Sequence, residues 1–285
     1  MITIINSLIL TIGSLLFVPS TFCSIALQNK SIGDKAIITH AMGEIDGHFY
    51  TNSLEAFEYS YHHRKNRVFE VDLELTKEEV LVARHDWRLI YAEQLEQTPE
   101  TTIDNEPWTY EYFMNQNINK KYTPLDINRV IELLKKHTDV YIVTDTKHFD
   151  PMMIEKQFSK IVQAANYDEA ILARIIPQIY TEEMLTIINQ IYHFNKVIYT
   201  LYHAPNNDEQ VVKFVQDNVH QITAVTMPTS RINENFLDNL HDLNINVYTH
   251  PIWSMEEALH YHELGVDGFY SATISRKELK RVNID

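Results

Sequence analysis

The 285-residue chain contains a single cysteine, Cys23, which excludes a disulfide framework and any cysteine-based zinc site. Basic side chains are also scarce: 24 Lys and Arg stand against 39 Asp and Glu, which gives a formal charge of −15. A chain this acidic repels polyanions, and no basic cluster interrupts the excess, so nucleic acid is not expected as a partner. Apolar residues make up 45% of the chain and charged residues 22%, a composition that excludes a disordered or fibrous protein. No pattern identifies a protein partner.

Charged side chains are absent from residues 1–26, which contain an apolar stretch from Leu8 to Val18. This pattern is typical of a secretory leader, with cleavage after Cys23 or Ala26. The apolar span is also nearly long enough for a membrane anchor. Residues 1–26 are therefore predicted to be a signal peptide or an N-terminal anchor. Either one predicts a secreted or cell-envelope protein, and an anchor would keep it close to a membrane.

From residue 34 onward, short β-rich runs alternate with amphipathic helical runs. The predicted strands are Ala36–His40, Arg67–Thr76, Val80–Asp86, Val140–Lys147, Arg174–Tyr180, Lys196–His203, Ile222–Pro228, Asn246–His250 and Gly268–Ala272. The predicted helices are Ser53–Lys65, Leu125–His137, Asp150–Ala165, Thr181–Phe194, Asp208–Val219, Asn233–Leu243 and Met255–Leu264. Asn52, Asp150, Thr181 and Ser254 stand where helix N-caps are expected. Eight alternating β and α units close into a barrel, so an α/β fold, a TIM (β/α)8 barrel, is predicted for residues 34–285.

Residues 87–123 interrupt the alternation with a stretch rich in Tyr, Trp, Asn, Gln and Pro. The stretch is too long for an ordinary connection and predicts an inserted lid or small subdomain after the second strand. Its aromatic residues could close over a substrate or pack as a miniature core; they are Trp87, Tyr91, Trp108, Tyr110, Tyr112 and Phe113.

The predicted strand Arg67–Thr76 alternates apolar residues with Glu70, Asp72 and Glu74. Strand periodicity places the three acids on one face. If that face points into a barrel, unpaired carboxylates there repel one another and lose their hydration. A divalent cation removes that cost, and ligands that are all oxygen favour Ca²⁺ or Mg²⁺ over zinc. The alternative is a solvated edge strand with an acidic outer face.

Other predicted strands also end in polar, titratable residues. Asp145 and Lys147 share one face near the end of the strand Val140–Lys147. Further strand ends carry His40, His85, Gln178, Tyr180 and His250. Active groups in parallel barrels gather at the C-terminal ends of the strands. Each residue alone has an ordinary structural explanation, such as a satisfied histidine or a simple ion pair, but their convergence favours one functional site.

Five segments in this order resemble the motifs of the glycerophosphodiester phosphodiesterase family. They are Ile38–Gly43, Tyr50–Phe57, Phe69–Thr76, Leu81–Asp86 and Gly265–Ser271. The family has an opening His-Arg-Gly, a Glu-Asn-Thr before a helix, a Glu-x-Asp strand, a nearby His-Asp and a similar final strand. The chain is most similar to the divergent bacterial branch that groups phosphatidylinositol phospholipase C with these enzymes. The resemblance implies a TIM barrel that hydrolyses phosphodiesters with two histidines and a carboxylate-bound divalent cation.

Carried over position by position, the resemblance implies that Glu70 and Asp72 bind the metal. It implies that His40 and His85 are the catalytic acid and base. Asp145 falls where the family has a third metal-binding glutamate, and it is one methylene shorter.

The resemblance also implies a substrate-binding set. Lys147 matches a family lysine, and Asn52 matches the asparagine of Glu-Asn-Thr. Ala41 replaces the arginine that would help hold phosphate. Gln178, Tyr180 and His250 are candidates to replace that arginine. Arg84 is the weakest candidate, because strand alternation turns its side chain to the face opposite that of His85.

The sequence therefore predicts a metal-dependent hydrolase of glycerophosphodiesters, acting on a small-molecule or lipid-headgroup diester. One alternative is a lyase of the same fold that releases a cyclic phosphate, as the aspartate at position 145 suggests by its likeness to sphingomyelinase D-like barrels. A second is a non-catalytic binding module on a decayed barrel, which the lost arginine favours. A glycosidase also uses paired acids, but Glu70 and Asp72 are neighbours on one strand face and are poorly placed to flank a glycosidic bond.

Overall fold

The computed structural model describes Ile32 and residues 36–204 and 206–284. The predicted leader, residues 1–26, lies outside the described residues, so the leader and the export it implies stay predictions. None of the helices in the described ranges combines the length and the apolarity needed to cross a bilayer.

Eight parallel strands close into a barrel, as the sequence predicts. The strands of the sheet are β1 (Ile37–Thr39), β2 (Val68–Leu75), β3 (Leu81–Ala83), β4 (Tyr141–Asp145), β5 (Ile175–Ile179), β6 (Val197–Thr200), β7 (Ile222–Pro228), β8 (Asn246–His250) and β9 (Gly268–Ser271). The first strand closes the barrel, because Thr39 pairs with Phe69 of β2 and with Ser271 of β9. The short β3 stays outside the parallel barrel and forms an antiparallel hairpin with β2.

Helices surround this barrel. They are α1 (Leu54–Tyr59), α2 (Leu89–Gln94), α3 (Tyr110–Met114), α4 (Ile127–Lys136), α5 (Pro151–Ala164), α6 (Glu169–Leu172), α7 (Glu182–Ile191), α8 (Asp208–Asp217), α9 (Glu234–His241), α10 (Met255–Glu263) and α11 (Arg276–Arg281). Asp150, Thr181 and Ser254 cap their helices as predicted. The N-cap prediction for Asn52 is wrong: Ser53 caps α1, and its hydroxyl accepts a hydrogen bond from the Ala56 amide at 3.3 Å.

One apolar layer fills the interior of the barrel. Each of the eight barrel strands contributes one buried residue to it: Ile38, Val68, Val143, Ile176, Ile198, Ala224, Tyr248 and Tyr270. Ile32, from before the first strand, is fully buried against the same layer. A second, larger apolar cluster lies between the barrel and its helices and includes Phe69 and Val71. Because side chains alternate along a strand, the inner layer fixes which residues face the interior two positions further on.

Residues 87–123 contain α2 and α3 and form a small core of their own. Trp87, Trp108 and Phe113 pack together there with Val82 of β3. Of the two arrangements left open by the sequence, these three rings form the miniature core. Tyr91 differs, since its ring leaves this cluster and lies on His85.

Replacing Ile32 with alanine tests the inner layer. The loss of a fully buried side chain should lower the free energy of unfolding by about 2–5 kcal/mol. Ile103→Ala is the matched control, because that side chain is 62% exposed and its loss should change stability by less than about 0.5 kcal/mol. Urea denaturation measures both values, and equal midpoints for the two variants would contradict the burial of Ile32.

Candidate active site

A ring of polar side chains lies directly above the inner apolar layer. Two positions beyond the apolar residue, the chain carries His40, Glu70, Asp145, Gln178, Thr200 and His250. All six line one cavity at the C-terminal ends of the strands. The predicted convergence of separate strands at one rim therefore occurs, and ordinary strand alternation produces it.

Three carboxylates meet at this cavity, and two of them, those of Glu70 and Asp145, line it. One oxygen each of Glu70, Asp72 and Asp145 lies within 4.8 Å of the others. Asp72 and Asp145 are paired residues of β2 and β4. Glu70 and Asp72 are 1% and 0% exposed, which excludes the alternative of a solvated edge strand. Glu74, on the same face of β2, lies outside the group and faces His148 Nε2 at 3.1 Å.

Lys147 and Asn52 contact these carboxylates directly. The Lys147 ammonium donates to Asp72 and lies 3.0 Å from Asp145 Oδ2. The Asn52 amide donates to Asp72 Oδ2 at 2.8 Å, and its Oδ1 accepts from the Asp72 amide at 3.1 Å. Asn52 and Lys147 both have left-handed backbones, with φ of 46° and 45°. Such strain persists where the surrounding bonds hold the residue in place.

The backbone of Ala41 also contacts the acidic group. This residue has φ of 47°, and its amide donates to Glu70 Oε2 at 2.6 Å. The other oxygen of Glu70, Oε1, is buried without a hydrogen-bond partner.

Glu70 and Asp72 differ in how readily they hold a proton. Burial, together with the charges of Asp72 and Asp145, raises the pKa of Glu70 well above its ordinary value. Burial would also raise the pKa of Asp72, but the charge of Lys147 outweighs it and holds that pKa below the usual range. Burial opposes the charge on Lys147, yet Asp145 and Asp72 raise its pKa above that of a free lysine. Glu70 therefore holds a proton more readily than Asp72 does.

His85 is held on two sides by residues near the start of the insertion. Its Nδ1 lies 3.0 Å from Asp86 Oδ2. The Arg88 guanidinium donates to the same oxygen, and the Arg88 backbone amide donates to Asp86 Oδ1. Burial would raise the pKa of Asp86, but the hydrogen bonds from His85 and Arg88 lower it to about 2. The Tyr91 ring stacks on the imidazole at 4.3 Å, and its hydroxyl lies 3.4 Å from Nε2. In the neutral ring, Asp86 favours the proton on Nδ1 and leaves a lone pair on Nε2.

Tyr50 lies between the two predicted catalytic histidines. Its ring meets His40 edge-on at 5.1 Å and His85 at 5.5 Å. Burial lowers the pKa of His40, and the charge of Asp72 offsets part of that shift. Both imidazoles line the cavity that contains the carboxylates.

The other predicted substrate-binding residues, Gln178, Tyr180 and His250, also line the cavity. The Tyr180 hydroxyl donates to Asp145 Oδ1 at 2.6 Å, and Gln178 accepts from the Tyr270 hydroxyl at 2.8 Å. His250 Nε2 is buried without a partner. Burial lowers the pKa of His250 to about 4, and the charge of His40 adds to the shift, so this ring is neutral near pH 7.

The sequence profile of the glycerophosphoryl diester phosphodiesterase family matches residues 45–273, about four-fifths of the chain. The chain belongs to this family. As a member of it, the protein is a hydrolase of phosphodiesters. Among curated proteins, none matches the chain in sequence.

Solved structures of the family share the fold. A glycerophosphodiester phosphodiesterase from Parabacteroides distasonis is 14% identical, with a TM-score of 0.66 over 87% of this chain and 96% of that one. The enzyme from Thermotoga maritima is 14% identical, with a TM-score of 0.62 over 84% and 94%. A phosphodiesterase from Oleispira antarctica, in complex with the product sn-glycerol-3-phosphate, is 12% identical, with a TM-score of 0.66 over 87% and 96%.

The sequence does not predict several residues of the site. The aromatic and acidic side chains concerned are Tyr50, Asp86, Tyr202 and Tyr270. Asp86 had a readable signal, since it directly follows His85 in the chain. The sequence predicts Tyr91 only as one of several aromatic residues that could close over a substrate, because its exact place depends on how the insertion folds.

Replacing Glu70 with glutamine should stabilise the metal-free protein at pH 7. Because the folded pKa of Glu70 exceeds its unfolded value, the carboxyl contributes most stability below about pH 4.5, and that contribution is lost as the pH rises. Glutamine does not titrate and keeps an acceptor for the Ala41 amide. Urea denaturation in EDTA should therefore show a gain over the unaltered protein at pH 7 that shrinks towards pH 4. A variant less stable than the unaltered protein at pH 7 would contradict the raised pKa.

Proposed function

We propose that the protein hydrolyses glycerophosphodiesters by acid–base catalysis with His40 and His85, assisted by a divalent cation. The observation that carries the proposal is the shared cavity, which both imidazoles line together with Glu70, Asp145 and Lys147, and Asp72 lies against those two carboxylates. Family membership supports the reaction class. The sn-glycerol-3-phosphate held by the Oleispira antarctica phosphodiesterase supports a glycerol-containing substrate.

The residues present fit a hard divalent cation. Glu70, Asp72 and Asp145 offer three oxygens within 4.8 Å of one another, and Glu70 Oε1 has no other partner. Ligands that are all oxygen suit Mg²⁺ or Ca²⁺. These three residues would hold the ion, while Asn52 keeps Asp72 oriented. When bound, such an ion supplies Lewis-acid stabilisation of the negative charge on a phosphate.

The chain's own groups perform the proton transfers. One of the two histidines accepts a proton from the attacking group, and the other donates one to the leaving alkoxide. The attacking group is water, or a substrate hydroxyl whose cyclic phosphate product is then opened by water. Asp86 holds His85 in a single ring orientation for this work. Lys147 is the one lysine or arginine among the described residues that line the cavity, so it reinforces the charge on the phosphate. The neutral His250, with its unpartnered Nε2, takes over hydrogen bonding to substrate from the arginine that Ala41 replaces.

Single replacements of the two histidines test their assigned roles. His40→Ala and His85→Ala should each lower kcat on glycerophosphoglycerol by at least about 10²-fold, because each removes one proton transfer. Thermal unfolding should stay close to that of the unaltered protein. His193→Ala is the matched control, since that exposed histidine lies outside the cavity and should leave kcat unchanged. A normal rate in either cavity variant would refute that residue's role.

The same assay separates the rival functions. Phosphorus NMR should show glycerol phosphate accumulating, and EDTA should stop its release. A cyclic phosphate that persists would instead identify a lyase. If no diester is turned over, with or without added metal, the protein is a non-catalytic binding module.

Cation binding should release protons at pH 7. The raised pKa of Glu70 means that this carboxyl keeps its proton to a higher pH than a free glutamate does, and it must ionise to bind an ion. Titration calorimetry with Mg²⁺ or Ca²⁺ in Pipes and in Tris should give enthalpies that differ by the number of protons released times the difference between the ionisation heats of the two buffers. Equal enthalpies in the two buffers would show that Glu70 is already ionised. Glu70→Gln should remove the tight binding event.

A further inference from the structure

Arg84 is a buried cation directly before His85 in the chain. It is 1% exposed and is among the largest fully buried side chains in the described residues. Its guanidinium carbon lies 4.9 Å from the centre of the Trp87 ring and 4.5 Å from that of Trp108. The side chain therefore extends into the miniature core of the insertion, away from the catalytic cavity.

Packing alone does not explain an arginine at this position. Its two hydrogen bonds go to neutral acceptors, and its Nη2 is buried without a partner. Burial lowers its pKa to about 10, although the charges of Asp86 and Glu74 offset part of the shift. A valine or leucine would fill an apolar core without this desolvation cost. The arginine is therefore expected to do something that an apolar side chain cannot.

The hydrogen bonds of Arg84 fix the main chain on both sides of His85. Its backbone amide donates to the carbonyl of Asp72 at 3.0 Å. Its Nε donates to the carbonyl of Asp86 at 2.6 Å, and Nη1 donates to Gln97 Oε1 at 2.7 Å. One residue thus ties the segment before His85 to the acidic strand β2 and the segment after it to the insertion.

The carbonyl that Arg84 holds belongs to the residue that orients His85. The Asp86 carboxylate accepts from His85 Nδ1 at 3.0 Å. A change in the backbone of residue 86 would therefore move the carboxylate and loosen the imidazole. Misplacing a catalytic group by about 1 Å costs on the order of 10²-fold in rate.

We infer that Arg84 is a positioning residue: with Gln97 and the tryptophans of the insertion, it holds the Asp86 backbone so that His85 keeps one ring orientation and one tautomer. The inference rests on the proposed catalytic role of His85. It also assigns a function to the insertion, which serves as the support of a catalytic histidine.

Arg84→Met tests the inference, because methionine fills part of the core but donates no hydrogen bond. We expect kcat on glycerophosphoglycerol, per folded molecule, to fall by about 10²-fold while KM stays within about twofold. Arg231→Met is the matched control. That arginine also bonds a carbonyl, of Asn206 at 2.6 Å, and lies 5.7 Å from the Phe236 ring, but it is outside the cavity. It should lose stability without losing kcat.

A spectroscopic readout separates positioning from a general loss of structure. In protein labelled with ¹⁵N in its histidine rings, His85 should show the pattern of a ring protonated at Nδ1, and Arg84→Met should show mixed tautomers. The signal is assigned by its absence in His85→Gln. If Arg84→Met does not fold, Gln97→Met removes one of the two acceptors and should give a smaller change in the same direction.

The outcomes distinguish this inference from the proposed function. No turnover of any diester by the unaltered protein would remove the proposed function itself. A normal kcat and an unchanged ¹⁵N pattern in folded Arg84→Met, or in Gln97→Met where the former does not fold, would overturn only the positioning role. Equal kcat losses in Arg84→Met and Arg231→Met would also overturn it.

Discussion

Mutual repulsion among three buried carboxylates is the constraint on which the site depends. Glu70, Asp72 and Asp145 lie within one ion's reach of each other and are almost entirely removed from water. A single ammonium, that of Lys147, contacts two of them, so the group keeps a negative excess. The protein accommodates this excess by raising the pKa of Glu70 and by leaving one of its oxygens free for another positive partner. The chemistry of the site and its cost in stability have the same origin.

The barrel makes this arrangement with simple means. An apolar layer with one residue from each strand closes the interior, and the functional layer follows two positions later. The rigid lower layer holds the strands at fixed register, so the acids of β2 and β4 meet as direct neighbours. Backbone strain appears at the edge of this layer, at Ala41, Asn52 and Lys147, where side chains or amides bond the carboxylates. A divalent cation held in this ring, as proposed, would also counteract the overall charge of −15, which would otherwise repel an anionic diester.

The sequence predicts the barrel and the acidic ring well, because both depend on local periodicity. Alternation along Arg67–Thr76 places Glu70 and Asp72 on one face of the strand, and closure of the barrel turns that face inward. The same logic fails for Glu74, which continues the pattern beyond the closed part of the barrel and meets His148 instead. It fails for Asn52, whose side chain bonds Asp72 although its position resembled a helix cap. Local periodicity also does not predict the residues that support His85. Tyr91 stacks on His85, and Gln97 bonds Arg84, only because of how the insertion folds.

The most direct test of the account is the anomalous scattering of a crystal of the protein soaked in Mn²⁺, an oxygen-preferring ion that can be located by its own signal. The account predicts one strong peak bounded by the carboxylates of Glu70, Asp72 and Asp145, with the Lys147 ammonium withdrawn from Asp72. A crystal at saturating Mn²⁺ that shows no peak there, and Lys147 still bonded to Asp72, would contradict it.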